Sequence, residues 1–280
     1  MIPHAHVIGA SGRSGQALCR ALLAAGGSYT PVVRSKTRWA ATGLPGTPRV
    51  ADLTGDMRAA LDGAVLVVSC AHARHIPAIL AASPAASHVF LGSTRKFTAW
   101  PDAHGDGVLA GEAAFLASGR SGVLLHPTMI YGAAGEDNVQ RLAALLRRLP
   151  FVPLPEGGRA LVQPIYQGDL TACLLSSLGR DWDGPHSLVV AGPEPLPYAE
   201  FVRAVAKAAG LRPPRLIDAP AWLLRAALPL TRLPGLPRIH PDELRRLLED
   251  KAFPIDAMRT MLGLNPISLE RGLALTFGAS

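Results

Sequence analysis

Short apolar segments alternate with helical segments along the first half of the chain. Two apolar segments, 65–68 and 123–125, contain no polar residue, a pattern typical of strands covered by helices on both faces. The pattern predicts strands at 5–8, 30–34, 49–52, 64–69, 88–92 and 123–126, and helices at 13–25, 56–61, 76–82, 107–118 and 136–149. This alternation predicts an α/β fold, a doubly wound parallel sheet of the Rossmann type with right-handed crossovers.

After about residue 150 the alternation loosens and proline becomes frequent. Segments within 160–192 are expected to return to the sheet, and helices are predicted at 197–209, from Pro241 onward, at 256–262 and at 268–275. Proline and acidic residues at the start of the second of these helices are favoured at a helix N-terminus. We therefore predict a core at 1–150, with the returns from about 160–192, and a smaller, mostly helical lobe at 193–280.

Composition narrows the class of protein. The chain has 280 residues, of which 49% are hydrophobic, enough for a substantial core. No run reaches about 18 uninterrupted apolar residues, so no membrane span is expected. The first residues lack the basic segment of a signal peptide, which leads us to expect a cytoplasmic location.

Charge and cysteine usage exclude further classes of site. The net charge is +7 and the pI is about 9.8, but arginine is spread along the chain without a basic block, so we expect no nucleic-acid partner. Cys19, Cys70 and Cys173 are far apart and are expected to be buried free thiols of a reduced compartment. His72 and His75 have no third ligand nearby in sequence, and we predict no metal site.

Three glycines follow the first predicted strand at intervals of three residues, and a helical run begins after them. Gly9 permits a tight turn, Gly12 lets the backbone approach a pyrophosphate, and Gly15 lets the helix pack close to the strand. The N-terminus of the helix then offers free N–H groups to the phosphates. The residues of this turn expected to bind the cofactor are Gly9, Ser11, Gly12, Arg13, Ser14 and Gly15.

The residues after the second strand indicate which dinucleotide is bound. Residues 16–51 contain no acidic residue, and Arg34 follows the second predicted strand. An acid at this place binds the ribose 2′-hydroxyl of NAD, whereas an arginine accommodates the 2′-phosphate of NADP. Arg13, Lys36 and Arg38 add positive charge nearby in sequence. We predict NADP(H) in preference to NAD(H); the alternative is that these side chains form a solvated loop.

Two further segments are expected at the cofactor because ligands of this fold bind at the carboxyl ends of the strands. Asp52 and Leu53 follow the third strand and are placed beside the adenine. Cys70, Ala71 and His72 follow the fourth and are placed under the ribose and phosphates.

Several segments, in this order along nearly the whole chain, resemble motifs of the extended and atypical short-chain dehydrogenases/reductases. They are Gly9-x-x-Gly12-x-x-Gly15, Asp52-Leu53, Phe90-Leu91-Gly92-Ser93-Thr94, His126-Pro127-Thr128-Met129-Ile130-Tyr131-Gly132 and Ile165-Tyr166-Gln167-Gly168-Asp169-Leu170. The second half resembles the small substrate lobe of the NAD-dependent epimerase/dehydratase branch. The resemblance implies that Pro127, Thr128 and Met129 lie along the nicotinamide and that a small-molecule substrate binds in a cleft between core and lobe. The oligomeric state is not predicted.

The catalytic pair of that family, Tyr-x-x-x-Lys, does not occur in this chain. Residues four positions after Tyr29, Tyr131, Tyr166 and Tyr198 are Val33, Gly135, Leu170 and Val202. If Glu112 matches the glutamate further along the family's helix, His104 occupies the tyrosine position and Val108 the lysine position. The chain thus resembles the atypical members, which include reductases with other proton donors, accessory subunits and NADP-sensing regulators.

Four residues are candidates for catalysis, and each has a structural alternative. Ser93 and Thr94 would orient a substrate carbonyl, or their hydroxyls cap backbone groups. His104 can move protons near neutral pH without a lysine, or it lies in a polar loop before a helix. Tyr131 donates a proton, or its ring forms a wall of the nicotinamide pocket.

Two other polar residues follow the same strands. Lys96 lies near a substrate phosphate or carboxylate, or faces water. His126 is expected to be a hydrogen-bonded, semi-buried histidine rather than a base.

Two functions remain at this point. The first, which we favour, is an NAD(P)-dependent oxidoreductase or epimerase/dehydratase of the atypical type, transferring hydride between NADP(H) and a small carbonyl or hydroxyl substrate. The second is a non-catalytic NADP(H)-binding redox sensor or assembly protein. The fold by itself does not choose between them.

Overall fold

The computed structural model of this chain describes residues 3–132, 138–149, 151–227 and 241–278. The strands are β1 Ala5–Ile8, β2 Tyr29–Val33, β3 Arg49–Val50, β4 Leu66–Ser69, β5 Ser87–Leu91, β6 Gly122–Pro127, β7 Ile130–Tyr131, β8 Phe151–Pro155, β9 Leu161–Val162, β10 Ile165–Tyr166, β11 Pro185–Val190, β12 Leu196–Pro197 and β13 Arg215–Ala219. The helices are α1 Arg13–Ala24, α2 Lys36–Ala40, α3 Arg58–Leu61, α4 Ile76–Ala82, α5 Ala103–Ala117, α6 Asn138–Arg148, α7 Gln167–Leu178, α8 Tyr198–Ala208, α9 Ala221–Ala227, α10 Pro241–Arg246, α11 Asp256–Leu262 and α12 Leu269–Phe277.

A seven-stranded parallel sheet has the strand order β11-β6-β5-β4-β1-β2-β3. The order reverses between β1 and β4, which is the switch point of a doubly wound fold. Ile8 in β1 pairs with Val32 in β2 and with Ser69 in β4, so these strands end at the same edge. The predicted α/β fold class is confirmed.

The central strands are buried on both faces, as their continuous apolar sequences predict. Val67 and Val68 in β4 and Leu124 in β6 have no exposed surface. On one face the sheet packs against α3, α4 and α5, where the rings of Phe90 and Phe115 meet edge to face with centroids 5.1 Å apart. Burial of these side chains is the main stabilising contribution to this layer.

Helix α5 begins earlier than its hydrophobic pattern predicts. Its first helical residue is Ala103 instead of residue 107, because the Asp102 carboxylate accepts the backbone N–H groups of His104 and Gly105, both at 2.9 Å. An aspartate at this position satisfies N–H groups that have no partner within the helix. His104 is consequently part of the first helical turn, and the expectation of a polar loop there is wrong.

The chain divides into two compact units. The first contains residues 1–128, 167–190 and 254–265, and the second contains 129–166, 191–253 and 266–280. This division departs from the predicted boundaries, since 129–132 and 138–149 belong to the second unit and 254–265 to the first. The reason is local packing: Val139 and Ala143 of α6 join the core around α8, whereas α11 is held to α7 by a hydrogen bond from Ser176 to the Leu262 carbonyl.

The second unit has its own apolar core, built on the buried face of α8 with Phe201, Val202 and Val205. Three two-stranded sheets, β7 with β10, β9 with β12 and β8 with β13, accompany its helices. The predicted starts at Pro241 and near 197 agree with α10 and α8. The first two residues of the helix predicted at 136–149 lie outside the described residues. No helix in the described ranges combines the length and apolarity needed to cross a membrane.

Candidate functional site

The glycine turn joins β1 to α1 at the switch point of the sheet. Gly9 has φ +74°, a conformation that glycine adopts without strain. A Cβ on Gly15 would lie 2.2 Å from the Gly9 carbonyl oxygen and 2.8 Å from the Ala10 Cα, so only glycine permits this contact between helix and turn. Gly12 is the N-cap of α1 and, being a glycine, has no side chain with which to cap this end.

The segment after β4 lies directly against this turn. The Cys70 N–H donates to the Ile8 carbonyl at 3.0 Å, and the Ala71 nitrogen lies 3.4 Å from where a Gly9 Cβ would stand. The His72 Nδ1 accepts the Arg74 N–H and caps the 3₁₀ turn Ala73–His75. The predicted segments 9–15 and 70–72 are therefore brought together at the carboxyl edge of the sheet.

The end of β3 is held by an aspartate turn. The Asp52 carboxylate accepts the backbone N–H of Thr54 at 2.9 Å and its hydroxyl at 2.8 Å, and these hydrogen bonds lower the pKa of Asp52. Asp52 is exposed, while the neighbouring Leu53 packs partly against the core.

The edge beside β2 is positively charged. Arg34 follows the last residue of β2 and is exposed, as are Lys36 and Arg38. The intervening Ser35 caps α2 by accepting the Arg38 N–H at 3.3 Å. Arg13, the first residue of α1, is also exposed. These residues suit an anionic ligand at the ends of β1 and β2.

A dinucleotide fits this edge of the sheet on structural grounds. The turn is lined by glycines whose Cβ positions fall on or near backbone atoms, and the first turn of α1 has no acidic residue. Free N–H groups and a positive helix end are therefore available to phosphates. Gly9, Gly12, Gly15 and the segment after β4 would hold a pyrophosphate.

The hydroxyls of Ser93 and Thr94 contact backbone groups after the end of β5. The Ser93 Oγ accepts the Arg95 N–H at 3.1 Å, and the Thr94 Oγ1 donates to the Pro127 carbonyl at 3.2 Å. These are the capping contacts of the structural alternative. In its contact the Ser93 oxygen is the acceptor, so this hydrogen bond does not use the proton of the Ser93 hydroxyl.

The exposed His104 lies against His72. Their ring centroids are 4.3 Å apart and the rings are nearly perpendicular, at 82°. Burial, followed by the nearby His104, lowers the pKa of His72 to about 4. The structure thus brings His72, which is predicted to lie at the cofactor, into contact with the catalytic candidate His104.

The predicted 127–131 segment is divided between the units. Pro127 ends β6, and the Thr128 N–H donates to the Val190 carbonyl in the first unit. Met129 lies in the second unit, where its carbonyl accepts the N–H of Ile165.

Tyr131, also in the second unit, is buried. Its ring lies 5.7 Å from that of Tyr166, and a Cβ on Gly272 would come within 2.0 Å of its hydroxyl oxygen. The hydroxyl therefore abuts helix α12. This close packing does not favour a role for Tyr131 as proton donor.

A buried polar cluster, formed by Lys96, Glu112, His126 and Ser187, lies beneath Ser93. Lys96 Nζ is 2.5 and 2.6 Å from the two Glu112 oxygens, and the Ser187 hydroxyl donates to Glu112 Oε1 at 2.5 Å. His126 Nε2 is 3.1 Å from Ser187 Oγ and 3.3 Å from Glu112 Oε1. The side chains of Lys96 and Glu112 are 10% and 13% exposed and that of His126 is 0%, so the expectation that Lys96 faces water is wrong.

Hydrogen bonding fixes the protonation states in this cluster. His126 Nδ1 accepts the backbone N–H of Ser93 at 3.3 Å, so the neutral ring carries its proton on Nε2 and donates it to Ser187 and Glu112. Burial lowers the pKa of His126, which favours the neutral ring. Hydrogen bonds from His126, Lys96 and Ser187 lower the pKa of Glu112 to about 2. The cluster is one buried ion pair with a neutral histidine.

Sequence reasoning missed this cluster because its members share no local spacing. They come from the 3₁₀ turn Thr94–Phe97, from α5, from β6 and from β11. The available signal was a lysine shortly after the strand predicted at 88–92 and a glutamate in the helix predicted at 107–118.

Comparison with known proteins reveals a likeness of fold. Neither a family model nor a curated protein sequence matches the chain. The NADPH-dependent quinone oxidoreductase QOR2 of Escherichia coli, solved with NADPH, is 16% identical with a TM-score of 0.74, covering 98% of this chain and 99% of that one.

Two sugar-nucleotide proteins give similar agreement. The UDP-glucose 4-epimerase of Thermotoga maritima, solved with UDP-glucose, is 14% identical with a TM-score of 0.73, covering 98% and 97% of the two chains. MoeE5, solved with UDP-glucose and NAD, is 18% identical with a TM-score of 0.71 and the same coverages. The chain has the Rossmann-type fold of these NAD(P)-binding short-chain dehydrogenase/reductase and epimerase proteins.

Proposed function

We propose that the chain binds NADP(H) at the carboxyl edge of the seven-stranded sheet and transfers hydride to or from a carbonyl or hydroxyl group of a small molecule. The observation that carries the proposal is the glycine turn, closed against the segment after β4 and leading into the N-terminus of α1, whose N-cap residue is Gly12. Proteins of the same fold solved with NAD or NADPH support the cofactor class.

The preference for NADP(H) rests on charge at the end of β2. Arg34 stands where NAD-binding proteins of this fold carry an acid, and residues 16–51 contain no acidic residue. A guanidinium can contact a 2′-phosphate through two parallel N–H groups. The 2′-hydroxyl of NAD(H) offers no charge to this side chain.

Arg34→Ala is expected to weaken NADPH binding about tenfold or more and to leave NADH binding within about twofold, because charge-assisted hydrogen bonds contribute about 1.5–3 kcal/mol. Calorimetric titration with both cofactors measures this. The matched control is Arg20→Ala. Arg20 is an exposed arginine on α1 that donates a hydrogen bond to the Gln16 side chain. Equal weakening for NADH and NADPH would contradict the 2′-phosphate argument.

The chemistry assigned to the chain's own residues is orientation and proton transfer. A bound nicotinamide supplies the hydride transfer, and the protein orients the substrate oxygen and moves its proton. Ser93 and Thr94, just past the end of β5, would orient that oxygen. His104, exposed in the first turn of α5 and in contact with His72, would exchange the proton.

Turnover tests the catalytic proposal. NADPH oxidation is measured with aldehydes, ketones, quinones and sugar nucleotides, and His104→Ala is expected to lower kcat by about 100-fold or more without changing NADPH affinity, since general acid–base groups contribute about 10²–10⁴-fold. His186→Ala is the control, because His186 pairs with Asp183 at the start of β11. Equal kcat values for His104→Ala and the unchanged protein would contradict the role of His104.

A second candidate is an NADP(H)-binding sensor or accessory protein without turnover. It is favoured by the absence of Tyr-x-x-x-Lys from the sequence and by the hydrogen bonds that the Ser93 and Thr94 hydroxyls make with backbone groups. Tight NADPH binding without oxidation by any substrate of the panel would support this function over the enzymatic one.

A further inference from the structure

The buried cluster of Lys96, Glu112, His126 and Ser187 has no part in the chemistry assigned above, yet it reaches the backbone of a catalytic candidate. We propose that His126 is a positioning residue for Ser93. Glu112, held by Lys96 and Ser187, keeps the proton of the His126 ring on Nε2, so that Nδ1 can accept the Ser93 N–H. The inference rests on the proposed function in that Ser93 is taken to orient substrate.

The first step in the argument is the contact itself. His126 Nδ1 accepts the Ser93 N–H at 3.3 Å, and a Cβ on Gly92 would lie 2.4 Å from this nitrogen. The chain therefore needs glycine immediately before Ser93 for the ring to reach the backbone. The Gly92 N–H donates to the Leu125 carbonyl at 2.7 Å, which holds the residue before Ser93 against β6.

The second step is the selection of the tautomer. A histidine that accepts at Nδ1 must carry its proton on Nε2 when it is neutral. Glu112 Oε1 and Ser187 Oγ, 3.3 and 3.1 Å from Nε2, accept that proton. Lys96 is a donor like the Nε2–H, so its 3.3 Å approach to Nε2 is not a hydrogen bond in this state; its protons go to the Glu112 oxygens instead.

A second buried histidine provides the comparison. His88 on β5 is also fully buried, but its Nε2 contacts the Ser83 hydroxyl at 3.0 Å, away from Ser93. Replacing either histidine removes a ring from the interior of the same sheet. Only His126 accepts the Ser93 N–H, so substitution at His88 separates loss of packing from loss of positioning.

The experiment uses the full chain with NADPH bound and compares His126→Leu, His126→Asn and His88→Leu. Asparagine carries its amide oxygen at the same number of bonds from Cβ as Nδ1, so it retains an acceptor that leucine lacks. We expect His126→Leu to raise the exchange rate of the Ser93 amide about tenfold, the effect of one lost hydrogen bond, and to lower kcat about ten- to a hundredfold at unchanged NADPH affinity. In His126→Asn, the Ser93 exchange rate and kcat are expected to stay within about threefold of their values in the unchanged chain.

Two results would overturn the proposal: Ser93 exchange as slow in His126→Leu as in the unchanged chain, or the same increase in His88→Leu. If His126→Leu does not fold, the ring ¹⁵N spectrum of the unchanged chain decides, because a protonated Nδ1 on His126 excludes the contact. NADPH affinity is measured separately. A chain that binds no NADPH contradicts the proposed function, while Ser93 exchange and the ring spectrum still test the positioning.

Discussion

Replacing Glu112 with leucine is expected to lower the free energy of unfolding by about 3–5 kcal/mol. The change leaves the Lys96 ammonium, 10% exposed, without either of the carboxylate oxygens that lie 2.5 and 2.6 Å from it. An unpaired charge in this environment costs more than the pair contributes, because its desolvation is no longer offset. Urea denaturation followed by circular dichroism measures the effect.

Two controls separate the buried charge from the loss of a side chain. The double variant Lys96→Met with Glu112→Leu is expected to recover most of the loss, because an apolar pair needs no solvation. Glu270→Leu removes the carboxylate that pairs with Lys207 at 3.0 Å, but both side chains are about 80% exposed, so its cost should stay below about 1 kcal/mol. A double variant no more stable than Glu112→Leu would contradict the argument.

Acid titration checks the same cluster independently. The pKa of Glu112 is lowered from 4.5 to about 2, so its contribution to stability is complete above pH 4.5 and is lost as the pH falls towards 2. The unchanged chain should therefore lose more stability over this interval than the double variant, whose cluster has no carboxylate. Equal losses would show that the cluster does not depress this pKa.

Replacing Gly12 with valine is expected to weaken NADPH binding at least about 30-fold, which corresponds to about 2 kcal/mol. Gly12 has φ −80° and ψ 167°, values that valine adopts, and its Cβ would come within 3.2 Å of the Gly9 carbonyl oxygen. The fold should remain, but the side chain would keep a pyrophosphate away from the N-terminus of α1. Fluorescence titration with NADPH measures the loss.

Gly179→Val is the matched control for this prediction. Gly179 is also exposed, and its Cβ would approach only the Ser176 carbonyl, at 4.0 Å. Gly15 is unsuitable for the test, since its Cβ would collide with backbone and disturb the fold itself. NADPH binding by Gly12→Val as tight as by Gly179→Val would place the cofactor elsewhere.

The candidate site was only partly accessible from sequence. The spacing of Gly9, Gly12 and Gly15 predicted the turn, because backbone conformation and close packing there depend on residues within a few positions of one another. The start of α5 was misplaced, since Asp102 caps the helix before its apolar pattern begins. The contact of His72 with His104 joins two elements 32 positions apart and had no local signal.

The sequence by itself determined the alternation of strands and helices in the first half of the chain, the glycine turn, the absence of an acid after β2 and the absence of Tyr-x-x-x-Lys. Each of these is a property of neighbouring residues, and local hydrogen bonding and side-chain periodicity are enough to specify it. The tertiary structure decided that Lys96 is paired inside the protein, that His126 accepts the N–H of Ser93, and that 129–132 and 138–149 join the second unit. These outcomes depend on which elements pack together, and burial then determines which polar groups must find partners.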